Sequence, residues 1–142
     1  MSLSTQRVIL AALAISAAVV GMWAALLPVS FYSDFPLPER RWVSTLGPYN
    51  EHLIRDVGFL YLALLVLTVC VLRRPTASAV RMTGGAWLIF NSGHFLWHML
   101  HLEMFPLIDK VGNAAALGGV LVLSILLLLP GRRSGAAVGS QG

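Results

Sequence analysis

An all-α bundle of four transmembrane helices is the fold that the sequence predicts, for three reasons. Of the 142 residues, 57% are hydrophobic and only 11% are charged, which differs strongly from the balance of soluble domains. Four apolar runs each approach the roughly 20 residues that a helix needs to cross a bilayer core. The charged residues collect near the ends of these runs. We therefore expect one membrane domain over 1–133, followed by a disordered tail over 134–142.

The four predicted helices are similar in length. They cover 8–27, 53–72, 82–100 and 111–129. The first contains almost no polar residue, which indicates an anchoring and packing role. Asn50 precedes the second helix and is predicted to cap it, since asparagine oxygens accept hydrogen bonds from free N–H groups at a helix start. Small residues in the outer half of the fourth helix predict close packing within the bundle or a homodimer contact.

The distribution of charge predicts the orientation of the helices. If both termini are cytoplasmic, six arginines and no acid lie inside, namely Arg7, Arg73, Arg74, Arg81, Arg132 and Arg133. All six acidic residues then lie outside. This arrangement obeys the positive-inside rule and is typical of a multi-pass protein in a bacterial plasma membrane. The basic residues form topology signals rather than a continuous stripe, so nucleic acid is not an expected partner.

The connection between the first two helices is long and rich in aromatic and proline residues. The outer loop runs over 30–50 and carries Phe31, Tyr32, Phe35, Trp42 and Tyr49. This composition favours an ordered loop close to the membrane surface. Two interpretations remain open, a lid over a binding site and an aromatic belt at the level of the lipid headgroups.

The start of the second helix carries four ionisable residues on one face. Glu51, His52, Arg55 and Asp56 fall within about 140° of the helix circumference, with two pairs at i, i+4 spacing. Ionisable groups inside a membrane span are costly unless they face one another or a polar interior. We therefore place Glu51, His52, Arg55 and Asp56 in a candidate ligand pocket.

The end of the third helix carries a second polar stripe, about 120° wide. It consists of Asn91, His94, Trp97, His98 and His101. Both polar faces belong to outer ends of their helices, so His52, Asp56, His94 and His98 are expected to line a single cavity. Asn91 and Trp97 complete the predicted ligand pocket.

Four interpretations of this cluster remain open. His52, Asp56, His94, His98 and His101 are candidate ligands for Zn²⁺ or Cu²⁺, since imidazoles at i, i+4 can share a metal ion. No HExxH motif is present, because no glutamate lies between His94 and His98. A bis-histidine haem between the second and third helices is the second interpretation. The third is a metal-free pocket for a small molecule, and the fourth is a set of histidines that simply lie at the membrane surface.

Three segments carry a resemblance to a known group of proteins. Phe31 to Pro36 reads FYxxFP, Tyr49 to Gly58 reads YNEHLxRDVG, and His94 to His101 reads HxxxHxxH. The chain thereby resembles a group of small, uncharacterised four-helix membrane proteins of actinobacteria. It is more loosely similar to DoxX-like proteins, some of which are linked to quinone-dependent oxidation. The resemblance implies the four-helix fold and brings no activity with it.

The function that these observations favour is binding of a small ligand or metal in an outward-facing His, carboxylate and Arg pocket. Such a protein would serve as an accessory or sensor-like membrane component. One alternative is a membrane enzyme, either a quinone-linked oxidoreductase or a lipid-modifying protein. Another is a structural subunit that packs in a homo-oligomer or a larger membrane complex. The single cysteine, Cys70, excludes an intramolecular disulfide and a CxxC redox pair.

Overall fold

The computed structural model describes residues 1–130, which form five α-helices. The helices are α1 (Leu3–Leu26), α2 (Pro28–Asp34), α3 (Glu51–Arg73), α4 (Ala77–Leu100) and α5 (Leu107–Leu128). The all-α prediction is thus confirmed for the described part of the chain. The predicted tail over 134–142 lies outside the described residues.

Side-chain caps fix the starts of three long helices. In each, a side-chain oxygen accepts a hydrogen bond from the backbone N–H three residues further on, at 3.1–3.2 Å, and the cap residues are Ser2, Asn50 and Thr76. The predicted cap at Asn50 is confirmed. The long helices begin two to five residues earlier than predicted. In α1, α3 and α4 the reason is that the capped first turns contain polar residues that lie outside the apolar runs.

The connection over 28–50 contains more helix than predicted. It includes α2 and a single 3₁₀ turn at Ser44–Leu46. Pro28 begins α2, a position at which its fixed backbone angle suits a helix and its missing N–H needs no partner. The predicted loop begins at Ser30, so the prediction is wrong for residues 30–34, which belong to α2.

Three of the helices, α1, α3 and α5, are long and apolar enough to cross a membrane. At 22 to 24 residues each extends over roughly 33–36 Å, slightly more than a bilayer core. Helix α4 has the same 24-residue length as α1, but polar residues such as Thr83, Asn91 and His94 lower its hydropathy. The fourth predicted span remains a prediction.

The long helices pack as two antiparallel pairs, α1 with α3 and α4 with α5. Helices α1 and α3 approach each other closely at Gly58, where an added Cβ would lie 2.4 Å from the backbone nitrogen of Ala25. Between α4 and α5, an added Cβ at Gly84 would lie 2.8 Å from the Cβ of Leu127. Small residues therefore set both short interhelical distances, as is common where lipid surrounds a bundle.

The two pairs meet through a filled core near the chain termini. Trp87 on α4 is fully buried and donates a hydrogen bond from Nε1 to Oγ1 of Thr68 on α3, at 2.9 Å. At the same end of the bundle, the amino group of Met1 donates to the carbonyl of Pro130, at 2.9 Å. Both ends of the described chain thus lie on one side, and we call the opposite side the outer end.

Candidate functional site

A cavity of about 400 Å³ lies at the outer end of the bundle. Residues from all five helices and from the connection over 35–50 line it. Most of its wall is apolar and aromatic, with contributions from Phe31, Tyr32, Phe35, Trp42, Tyr61 and Trp97. Of the described residues that line it, none is an aspartate, glutamate, lysine or arginine. The cavity is therefore a largely apolar chamber without a fixed charge.

Three neutral polar side chains from α4 and α5 face this chamber, and we call them the α4–α5 polar wall: His94, His98 and Asn113. The two histidines are half-buried, whereas Asn113 is fully buried. The rings form a contiguous series, in which Phe90 stacks on His94 at 5.3 Å and His94 meets His98 edge-on at 4.6 Å between centroids. Aromatic packing therefore fixes the position of both imidazoles.

The side chains of His98 and Asn113 lie within hydrogen-bond reach of each other across the contact between α4 and α5. Nδ1 of His98 and Oδ1 of Asn113 are both shielded from solvent. The amide nitrogen of Asn113 donates to the backbone carbonyl of Asp109 at 3.0 Å, which leaves the amide oxygen as the acceptor. Buried polar atoms in native proteins nearly always have partners, and these two side chains supply each other's.

The connection over 35–50 covers the chamber and is tied down at several points. The hydroxyl of Tyr32 donates to the carbonyl of Gly47 at 2.8 Å. The buried carboxylate of Asp109 accepts hydrogen bonds from Nε1 of Trp42 at 3.0 Å and from Nη1 of Arg40 at 3.4 Å. Gly112 makes room for the indole, since an added Cβ there would lie 2.8 Å from the Trp42 ring.

Sequence reasoning did not identify Asp109, Trp42 and Asn113 as a connected group. Asp109 begins an apolar helix, and Asn113 follows it by one helical turn. An acid and an amide at i, i+4 spacing on the same helix share a face, and this spacing was the available signal. What links them to Trp42 is a contact across 67 residues of chain, which no local pattern shows.

The four ionisable residues at the start of α3, which we call the α3 polar face, do not line the chamber. Arg55 pairs with Glu51 at 2.8 Å, and His52 with Asp56 at 3.2 Å. The His52 and Asp56 side chains are 88% and 57% exposed. The expectation that His52, Asp56, His94 and His98 share one cavity is therefore corrected, since only the two histidines of α4 lie there.

The rotation of α3 explains this separation. Arg55 donates a hydrogen bond to the carbonyl of Ala25 at the end of α1, and Gly58, three residues later, packs against the same residue. The face that turns towards the chamber is the apolar stripe of Ile54, Val57 and Tyr61. The charges of the α3 polar face are thus satisfied at the surface, by partners at i, i+4 and by a carbonyl at the end of a helix. These side chains therefore do not need a polar interior.

The chamber is lined by only one of three further predicted site residues, Asn91, Trp97 and His101. Asn91 does not line the chamber but donates to Oγ of Ser124 at 2.9 Å, joining α4 to α5. Trp97 lines the chamber and stacks on His101 at 4.1 Å. His101 itself lies outside the lining, with Nδ1 at 2.7 Å from the carbonyl oxygen of Trp97. Of the predicted pocket residues outside the metal set, only Trp97 reaches the chamber.

The predicted metal site is not assembled in the described part of the chain. No group of three or more His, Cys, Asp or Glu side chains there could hold a metal ion. His52 and Asp56 lie at the surface of α3, away from His94 and His98, because the rotation of α3 directs them outward. The same separation removes His52 as a facing partner for a histidine of α4, which the haem interpretation required.

Comparison with known proteins found no matching family model, no matching curated protein and no matching solved structure. The function is therefore argued from the chemistry of the chamber itself.

Proposed function

We propose that this protein spans a bacterial plasma membrane four times and binds a small, neutral, mainly apolar molecule in the chamber at its outer end. In this role it serves as an accessory or sensor-like membrane component. The proposal has three parts, namely the fourth span, the orientation and the ligand.

The outward face of α4 supports the fourth span. Its polar residues Thr83 and Asn91 are buried within the bundle. Its exposed side chains are large and apolar, with Met82 71%, Ile89 81%, Leu96 60% and Leu100 65% exposed. A helix with buried polar groups and an apolar exterior suits a lipid environment, even where its average hydropathy is moderate.

The charges at the two ends of the bundle support the orientation. Arg7, Arg73, Arg74 and Arg81 belong to the end that carries the termini, whereas the acids Glu51, Asp56, Glu103 and Asp109 belong to the outer end. Short loops rich in arginine are retained in the cytoplasm. The chamber then opens towards the outer leaflet or the external medium.

The observation that carries the ligand proposal is the composition of the chamber wall. Its volume of about 400 Å³ lies within the range of small-molecule pockets. A charged ligand would lose its hydration without meeting an opposite charge, which is strongly unfavourable. A neutral molecule with an extended apolar surface is the class that this wall favours, and the aromatic rings suit a flat one.

Thermal unfolding of the detergent-purified full chain tests this proposal with naphthalene as a probe. A ligand at about 100 times its Kd adds roughly 2.7 kcal/mol to stability, so the unfolding midpoint should rise with naphthalene concentration. The charged control, naphthalene-1-sulfonate, should leave the midpoint unchanged.

A variant that fills the chamber supplies the second control. Val57 lines the wall, and Val57→Phe should fold while losing the response to naphthalene. An equal response in the wild type and in Val57→Phe would show that naphthalene acts elsewhere, and no response in the wild type would contradict the proposal.

A further inference from the structure

We infer that the chamber opens sideways into the lipid between the outer ends of α3 and α4, and that its ligand is a molecule dissolved in the bilayer. The inference rests on the proposed binding function and on the proposed fourth span. It selects the outer leaflet, rather than the external medium, as the source of the ligand. The ligand is thereby narrowed to neutral molecules that partition into lipid.

The first step is the cover over the outer end of the chamber. The connection over 35–50 packs on α1 through Phe35, whose ring centroid lies 5.8 Å from that of Trp23. The backbone N–H of Trp42 donates to the carbonyl of Phe35 at 2.8 Å, and its indole donates to Asp109 of α5 at 3.0 Å. Both Phe35 and Trp42 line the chamber. The connection therefore bridges α1 to α5 and covers the chamber on that side.

The second step is the contact between α3 and α4, which lies deeper in the bundle. Tyr61 of α3 meets Phe90 and Trp87 of α4 edge-on, at 5.1 and 6.1 Å between centroids. Among the described residues, these contacts and the still deeper hydrogen bond from Trp87 to Thr68 are the only polar or aromatic links between the two helices. The outer halves of α3 and α4, which flank the chamber, have no such link.

The third step is the pair of side chains at this gap, Leu53 of α3 and Trp97 of α4. Both line the chamber, although Leu53 is 59% and Trp97 45% exposed. Trp97 follows Phe90 by about two helical turns, so it lies on the face of α4 that meets α3. A side chain that belongs both to the wall of a cavity and to the protein surface marks an opening. The opening therefore lies between Leu53 and Trp97.

The fourth step is the depth and chemistry of this opening. Leu53 lies in the first turn of α3 and Trp97 in the last turn of α4. In the proposed topology, this level is where the outer leaflet meets its headgroups, a depth at which tryptophan is common. The surrounding surface is apolar, with Leu60 43% and Leu96 60% exposed. Such a rim offers water no hydrogen bonds, but it admits a molecule that is already dissolved in lipid.

The test measures how fast a thiol inside the chamber is labelled in lipid nanodiscs. The full chain carries Cys70→Ser and His94→Cys, and the reagent is N-(1-naphthyl)maleimide, which is neutral and partitions into lipid. Leu53→Trp narrows the opening and should slow labelling several-fold. Trp97→Ala widens the opening and should speed labelling, which provides a readout if Leu53→Trp does not fold. Each rate is divided by that of methyl methanethiosulfonate, a small reagent, to remove changes in thiol reactivity.

Two further substitutions serve as matched controls. Leu60→Trp places the same side chain on the exposed surface of α3 but outside the chamber lining, so the labelling rate should not change. Ala116→Trp places it on α5, at the remaining exposed position that the described helices contribute to the lining. This variant should slow labelling less than Leu53→Trp does.

The outcomes separate this inference from the proposal beneath it. A labelling rate unchanged by both Leu53→Trp and Trp97→Ala would overturn entry between α3 and α4. Equal slowing by Leu53→Trp and by either control would also overturn it. Protection of the thiol at position 94 by naphthalene, measured in the same nanodiscs, reports the binding function separately. Absence of that protection would overturn the binding function together with this inference.

Discussion

The α3 polar face and the α4–α5 polar wall lie at the same end of the bundle but differ in how their polar atoms are satisfied. The α3 polar face carries four ionisable groups, paired on the helix surface and partly exposed to solvent. The α4–α5 polar wall carries two imidazoles and an amide, which line the chamber, and its His98 and Asn113 side chains lie within hydrogen-bond reach of each other. The less charged region is therefore the better candidate for recognition.

This difference shows that density of charge is a poor guide to a site in a small membrane bundle. Charges near a helix end can reach water, a neighbour at i, i+4 or a free carbonyl. A neutral amide in the interior has none of these choices. A neutral polar group that lines a cavity is then more informative than the group with the largest charge.

The largest expected effect is a loss of stability at the contact between Gly58 and Ala25, which holds the α3 polar face away from the chamber. In Gly58→Val the new side chain meets the backbone of Ala25, so we expect a loss of about 3 kcal/mol in unfolding free energy, at the upper end of overpacking effects. The thermal midpoint should fall by several degrees.

Gly119 is the matched control for this change. It also lies within a helix, but nothing approaches the position of its Cβ within 4 Å. Gly119→Ala should therefore be neutral or slightly stabilising. Similar midpoints for Gly58→Val and Gly119→Ala would mean that the rotation of α3 is not set by this contact.

The next largest loss of stability is expected at Asp109, which is buried, in comparison with Asp56, which is exposed. Asp109→Ala removes the buried acceptor for Trp42 and Arg40 and should cost about 2 kcal/mol, as charge-assisted hydrogen bonds do. Asp56→Ala removes only an exposed partner of His52 and should cost less than about 1 kcal/mol. Chemical or thermal unfolding in detergent checks both values, and the reverse order would contradict the assignment of buried and exposed roles.

The smallest expected effect is a change in naphthalene affinity, compared between variants of two histidines. His94 belongs to the chamber wall, so His94→Ala should weaken naphthalene binding by about threefold through lost aromatic contact. His52→Ala should leave the affinity unchanged, since His52 lies outside the chamber. Titration of both variants in the same detergent gives the comparison, and equal weakening would place the ligand at the α3 polar face as well.

The sequence predicted the helices well because hydropathy and caps act locally. The apolar runs located all four long helices, and the cap at Asn50 lies where expected. The early starts at Ser2 and Thr76 and the short helix α2 were missed, because capped polar turns add no hydropathy.

The candidate site was predicted only in part, because helix rotation is a tertiary property. His94, Trp97 and His98 reach the chamber, whereas Glu51, His52, Arg55 and Asp56 do not. The sequence shows that the four α3 residues share a face but not which neighbour that face meets. Packing of Gly58 on Ala25 decided this, and Asn113 became notable only through its burial beside His98.

Ligand protection of two engineered cysteines tests the central claim most directly. With Cys70→Ser as background, one protein carries His94→Cys in the chamber wall and the other His52→Cys on the α3 polar face. The rate of labelling by N-ethylmaleimide is measured with and without naphthalene. Of these two residues, only His94 lines the chamber. Naphthalene should therefore slow labelling at position 94 several-fold and leave the labelling rate at position 52 unchanged. Protection at position 52, or none at position 94, would contradict a binding site in the chamber.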